Sequence, residues 1–248
     1  MQFKVVIPAR YASTRLPGKP LLDIAGLPMV VRVAQQAKKS GAHQVVIATD
    51  YEGIDRVAKA YDIQSVMTRI DHLSGTDRIA EVAQKMGWVD DDIIVNVQGD
   101  EPLIAPSLIQ QVAMHLVNNP QAVMSTACHS IDDETTFLNP NVVKVVLDAQ
   151  SNALYFSRSP IPYPRDNAHK QNIQAHRHIG IYAYRVDFLR KYTSLDITQL
   201  EDVESLEQLR VLFYGYKIAV TICKDIPVGG VDTQEDLDNV RKMMSAKN

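Results

Sequence analysis

Residues 5–19 read VVIPARYASTRLPGK. The apolar run over 3–7 has the make-up of a buried strand, and it opens into a loop that carries three cations within ten residues, Arg10, Arg15 and Lys19. Pro17 and Gly18 set a sharp turn before Lys19, and apolar spacing after Leu27 begins a helix, so the order is strand, basic turn, helix. In an α/β chain such a turn lies at the carboxyl end of a strand, where ligands bind. Arg offers planar bidentate donors, Lys a mobile point charge, and neighbouring backbone N–H groups can complete a cradle for a polyphosphate. The loop is not a Walker A motif. Gly18 and Lys19 are present, but Pro20 follows where that motif needs a hydroxyl for magnesium. Three cations alone suit a solvated surface loop equally well, so the rest of the chain has to decide.

Working outward, Val30, Val33, Ala34 and Ala37 recur at helical spacing, and the helix ends near Gly41. A strand over 45–48, a helix over 52–61 and a short strand over 65–67 follow, the alternation of a parallel sheet with helices on its faces. Ser74 and Asp77 have capping-box spacing ahead of an apolar stripe at Ile79, Val82, Ala83 and Met86. Arg78 then sits in a first helical turn, where a cation opposes the dipole; it points to solvent or has an anionic partner. The run over 93–97 is apolar around one Asn, the pattern of a central strand buried on both faces, and it leads into Gln98, Gly99, Asp100 and Glu101. Gly99 lets backbone approach closely, and two carboxylates stand at the rim where the basic loop also belongs, although Gly-Asp and Glu-Pro are ordinary turn chemistry as well.

A helix over 108–116 and a strand over 123–128 keep this style, and from about 129 to 216 it changes. Strands are expected over 142–147, 154–156 and 179–184, with a Pro-rich loop over 159–164 and a Glu- and Leu-rich helix over 201–213. The strand over 218–223 and a capped helix after Thr233 return to the parallel pattern. At 248 residues and 46% hydrophobic the chain can bury a large core as a single domain, 1–248, with an elaborated subregion at 129–216. Its formal charge of −3 provides no basic field for nucleic acid, so a small ligand is expected. The first strand begins within three residues of Met1, leaving no leader or membrane segment in the reading. Two distant cysteines, Cys128 and Cys223, make neither a disulfide framework nor a zinc site; buried free thiols and a reducing cytoplasm are expected.

Eight segments resemble the 3-deoxy-manno-octulosonate (Kdo) cytidylyltransferases, or CMP-Kdo synthetases, in the family's order. They are IPARYASTRLPGKPL (7–21), SGTDR (74–78), VNVQGDEP (95–102), VKVVLD (143–148), LYFSR (154–158), RHIGIY (177–182), LEQLR (206–210) and GVDT (230–233). The resemblance implies an α/β fold with a mostly parallel, Rossmann-like nucleotidyltransferase sheet of GT-A type. It implies a cytoplasmic homodimer that joins CTP to Kdo with magnesium, releasing pyrophosphate, for lipopolysaccharide synthesis. The subregion at 129–216 would bind sugar and supply much of the dimer interface. Carried over by position, Arg10, Arg15 and Lys19 hold the triphosphate, Asp100 and Asp232 bind magnesium, and Arg78 lies by the nucleotide. Gln98, Arg158, His178, Tyr182, Glu207 and Gln208 meet Kdo.

The residues agree with this in part, because displacement at an α-phosphate needs positive charge on the departing pyrophosphate, a metal and a positioned nucleophile. Magnesium suits two aspartates plus phosphate oxygens and water. Arg158 is a fitting partner for the Kdo carboxylate, while the spacing around His178 suits a satisfied core histidine better than a ligand. The phosphate loop does not separate Kdo from 8-amino-8-deoxy-Kdo or, more remotely, a sialic acid. A non-catalytic nucleotide-binding relative would have no need for Asp100 and Asp232 beside an intact Lys19. A dinucleotide-dependent oxidoreductase lacks its G-x-G-x-x-G after the first strand.

Overall fold

In the computed structural model, which describes residues 2–12, 16–72, 74–166 and 174–245, β1 (Phe3–Ala9) is the pivot of the sheet. It pairs in parallel with β4 (Gln44–Thr49) on one side and with β6 (Ile93–Asn96) on the other. From β1 the chain winds outward through α1 (Met29–Lys39), β4, α2 (Glu52–Ala60) and β5 (Gln64–Met67). It then crosses back through α3 (Gly75–Lys85) to β6. That reversal of direction at β1 opens a crevice beyond the carboxyl ends of β1 and β6, the place where sheets of this kind bind ligands.

Beyond β6 lie β10 (Ala175–Arg185), β7 (Met124–Ile131) and β11 (Ile218–Ile222), giving the path β5-β4-β1-β6-β10-β7-β11. Only β10 runs against the other strands of this path, so the sheet is mostly parallel. β10 also carries β8 (Lys144–Leu147), which pairs with β9 (Ala153–Ser157). Along β1 the side chains alternate between two cores. Val5 and Ile7 pack with α1 and α4 (Pro106–Asn118), whereas Val6 packs with α3 and α6 (Val186–Tyr192).

Most expected elements lie where periodicity put them, with Ser74 capping α3 through its hydroxyl and the Asp77 N–H at 3.0 Å. Three differences follow from local chemistry. The expected helix over 201–213 is two helices, α7 (Gln199–Glu204) and α8 (Gln208–Phe213), broken where Ser205 takes a left-handed φ of 51°. A small hairpin, β2 (Asp23–Ile24) with β3 (Leu27–Pro28), stands between the basic turn and α1, and α5 (Glu134–Leu138) and α6 are short helices in the irregular region. Cys128 and Cys223 are both free, but Cys223 is only partly buried. No helix among the described residues is long and apolar enough to cross a membrane.

Candidate active site

Three distant segments meet at the rim above β1 and β6. The turn at Gly18, with φ 64°, leads into a 3-10 turn (Lys19–Leu21) and sends the Lys19 side chain inward. Its Nζ donates to Asp100 Oδ2 at 2.6 Å, the Val231 carbonyl at 2.9 Å and Asp232 Oδ1 at 3.1 Å. Asp100 is delivered by the loop after β6. At Gly99 a Cβ would lie 2.7 Å from the Pro8 carbonyl, so only glycine lets that loop press against the end of β1. The Val231 N–H donates to the Asp100 carbonyl at 2.8 Å. Asp236, in the first turn of α9 (Gln234–Ser245), accepts from the N–H groups of Asp232 and Thr233, which fixes the segment bearing Asp232. Two carboxylates and an ammonium therefore share one point, reached from positions 81 and 213 residues apart in sequence from Lys19.

The other cations are placed differently. Arg10 is exposed at the end of β1 and donates to the His72 carbonyl at 2.8 Å. Arg15 lies outside the described residues. Arg78 is fully buried: its guanidinium donates to Asp50 Oδ2 at 2.7 Å and to Thr68 Oγ1 at 2.5 Å. The compensating anion is thus Asp50, at the end of β4, and neither carboxylate of the Asp100–Glu101 pair. Arg78 ties the first turn of α3 to the segments after β4 and β5.

Beside the rim lies a cavity of about 370 Å³. Gln98, Tyr182, Glu207 and Gln208 line it, four of the six residues assigned to the sugar. The break at Ser205 produces this arrangement, since it ends α7 and turns Leu206, Glu207 and Gln208 into the cavity wall. On the opposite wall Gly180 and Ile181 have no partner in β7, a bulge between Ile179 and Tyr182 that sets Tyr182 across from Asn96 of β6. The Thr126 hydroxyl holds this bulge, lying 2.7 Å from the Ile181 carbonyl and 3.1 Å from that of Ile179.

Arg158 and His178 do not line the cavity. The Arg158 Nε donates to the Glu204 carbonyl at 2.7 Å and its Nη1 to the Pro140 carbonyl at 3.3 Å, so its guanidinium ties the β9 end to α7. His178 stands behind Tyr182, rings 5.4 Å apart, with Nε2 at 3.0 Å from Thr126 Oγ1 and an edge contact to Phe156. Burial pushes its pKa down to about 3, so it is neutral.

Several titratable groups line the cavity. Burial first, and the charge of Asp100 second, push the Glu101 carboxyl up to about 7. Burial likewise raises Glu207, although the Thr76 hydroxyl donates to it at 3.0 Å, and raises the phenols of Tyr182, Tyr184 and Tyr192. No Lys, Arg or His is among the lining residues. Thr76, Asn96, Tyr184 and Tyr192 line it too and were not singled out from the sequence. For Asn96 a signal was there, a lone amide in an apolar strand with both faces buried, which needs a partner of some kind. Tyr192 carries none, because its helical spacing is that of a core residue.

The cytidylyltransferase family model matches residues 4–220. A solved structure of CMP:2-keto-3-deoxy-manno-octonic acid synthetase complexed with CTP is 42% identical to this chain, covers 100% of both chains and superimposes with a TM-score of 0.93. A cytidylyltransferase from Leptospira borgpetersenii is 19% identical, over 99% of this chain and 87% of its own, with a TM-score of 0.67, a likeness of fold.

Proposed function

The chain belongs to the cytidylyltransferase family, in its CMP-Kdo synthetase branch, and from that premise we propose that it activates Kdo with CTP to give CMP-Kdo and pyrophosphate. The observation that carries the reading is one juxtaposition: Lys19, Asp100 and Asp232 at a single point of the rim, directly beside the cavity of Gln98, Tyr182, Glu207 and Gln208. In the reaction a sugar hydroxyl oxygen bonds to the α-phosphorus of CTP while the bond to pyrophosphate breaks. Lys19, Arg10 and Arg15 offset the triphosphate charge, and the cavity residues orient the acceptor. Arg158, now engaged with backbone carbonyls, is the cation proposed to meet the acceptor carboxylate, and Arg78 and His178 support the nucleotide and sugar sides from behind.

Magnesium fits the rim. Asp100 and Asp232 already converge on one cation, within 3.1 Å, and magnesium takes one or two carboxylates and completes its shell with phosphate oxygens and water. The described residues include no group of three or more His, Cys, Asp or Glu that could hold a metal alone, which suits an ion shared with the nucleotide. Bound there, the ion supplies positive charge to the phosphoryl oxygens. The exposed apolar side chains of Tyr163, Val203 and Phe213 support a homodimer formed through the subregion at 129–216. Free Cys128 and Cys223 suit a reducing cytoplasm.

The test is pyrophosphate release with CTP, ATP and GTP, each against Kdo, 8-amino-8-deoxy-Kdo and a sialic acid. CTP with Kdo should give the highest kcat/KM. Equal turnover with the three nucleotides would overturn the cytidylyltransferase activity, and a preference for the amino sugar would reassign the acceptor.

A further inference from the structure

Arg78, Glu81 and Lys85 stand at i, i+3 and i+7 of α3, on one face, and that face takes hold of the segment joining β5 to α3 at successive points. Lys85 Nζ donates to the Met67 carbonyl at 2.7 Å and Arg78 Nη1 to Thr68 Oγ1 at 2.5 Å. Glu81 Oε2 accepts from the Arg69 N–H at 3.0 Å and also meets the His72 Nε2. The other Glu81 oxygen is paired with Lys85 at 2.7 Å, and the Glu81 and His72 side chains are each only 12% exposed. Burial pushes the Glu81 carboxyl up, but Lys85, His72 and the Arg69 N–H outweigh it and hold it at about 2, so the anchor of the segment is a carboxylate.

The far end of this segment reaches the basic loop. The His72 carbonyl accepts from Arg10 Nη2 at 2.8 Å, a contact between residues 62 apart, and among the described residues it is the one hydrogen bond that Arg10 makes. Arg10 follows β1 and is exposed, and a long exposed side chain samples many rotamers unless something holds it. One carbonyl engages one of the five guanidinium N–H groups and leaves the others to meet an anion. A carbonyl on an untethered loop would move with the arginine; this one is fixed, through the ring of its own residue, to a buried carboxylate on a helix. We propose that Glu81 is a positioning residue of the reaction, acting through His72 to hold the Arg10 guanidinium in place for the triphosphate. The inference rests on Arg10 meeting the triphosphate of CTP, as proposed above.

Steady-state kinetics of the full-length protein with CTP and Kdo test it. Glu81→Ala puts a good helix former into α3 and removes the anchor. It should lower kcat/KM for CTP about 3- to 10-fold, the value of pre-ordering one long side chain, and leave the KM for Kdo in place. Glu81→Gln keeps an acceptor oxygen and should recover part of the loss. His72→Ala, which removes the ring and keeps the carbonyl, should reach the same loss by a second route, and the two alanine variants combined should cost no more than either alone. The deciding arm is the Arg10→Ala background, in which Glu81→Ala should cost nothing further. An unchanged kcat/KM for CTP in both Glu81→Ala and His72→Ala overturns the proposal whatever happens to the Tm, and so does a loss that multiplies through undiminished in Arg10→Ala. Wild-type kcat/KM for CTP in Arg10→Ala itself removes Arg10 from the triphosphate and the inference with it. A wild-type protein that turns over no CTP fails earlier, in the arm without variants, and overturns the proposed function.

Discussion

The rim and the cavity lie side by side and treat their polar groups in opposite ways. At the rim Lys19 is paired with Asp100 and Asp232, and at the end of β4 the buried Arg78 is paired with Asp50. Among the residues that line the cavity, three buried side-chain atoms, Asn96 Oδ1, Tyr192 Oη and Gln208 Nε2, have no protein partner. The difference follows from cost. A buried charge without a counter-charge is several kcal/mol unfavourable, whereas a neutral amide or hydroxyl left open costs about 1–3 kcal/mol, which a marginally stable fold can carry. Charged groups are therefore held in pairs, whereas neutral dipoles can stand open on rigid elements.

The comparison predicts that breaking a pair on the ionic side damages the fold or the chemistry, while the cavity side yields smaller, more local effects. Arg78→Met should do the most damage, since it leaves Asp50 buried without its cation. A loss of about 3–5 kcal/mol is expected, seen as a Tm lower by roughly 10 °C for a chain of this size. A wild-type Tm would show that Asp50 reaches water and that the rim is not built on paired charge. Asp100→Asn comes next. It keeps the loop shape held by Gly99 and the Val231 N–H but removes one of two carboxylates, so kcat should fall on the order of 100-fold, about 2.7 kcal/mol of barrier, with a Tm within a few degrees of wild type. Near-normal kcat with a lowered Tm would make Asp100 a turn residue.

The smallest effect belongs to His178 on the cavity side. Burial holds it neutral with a pKa of about 3, below its ordinary 6.5, so the folded state refuses a proton that the unfolded chain accepts. The stability this group confers is complete above pH 6.5 and is lost as pH falls toward 3. Between pH 7.5 and 5 the wild type should lose about 2 kcal/mol more than His178→Gln, measured from denaturant midpoints. Parallel losses in the two proteins would show that His178 is protonated in the folded state.

How much of this could be read from residues alone depends on what each feature encodes. Periodicity and capping placed β1, α1, β4, α2, β5 and α3 because those signals are local, and the Ser74 cap is a contact between residues three apart. The family resemblance brought Lys19, Asp100 and Asp232 to one place, and the backbone contacts that hold them there are not written in any single stretch. The break at Ser205 was invisible: residues 201–213 keep helical composition, and the left-handed residue is a serine rather than the glycine that would announce it. Arg78 was legible as a cation that faces solvent or an anion; the structure gives it an anion, Asp50 at the end of β4, 28 residues away. Tyr192 reads as core because it is core, 1% exposed and packed on Phe188 and the Arg210 guanidinium.

The reversed strand β10 has a consequence for modularity. At His176 and Arg177 it pairs with β8, and from Tyr182 to Arg185 it pairs with β6 in the heart of the sheet, with β7 alongside on both sides of the bulge. β10 thus ties the β8–β9 side of the sheet to its centre through one strand, and the two should exchange amide hydrogens as a single cooperative block instead of as two foldons. Transplanting acceptor specificity from a relative as a cassette would cut that strand and leave two sheet edges bare. On the function proposed above, a new acceptor is reached by replacing side chains on β10 and around the Ser205 break in place, since β10 belongs to both parts of the sheet.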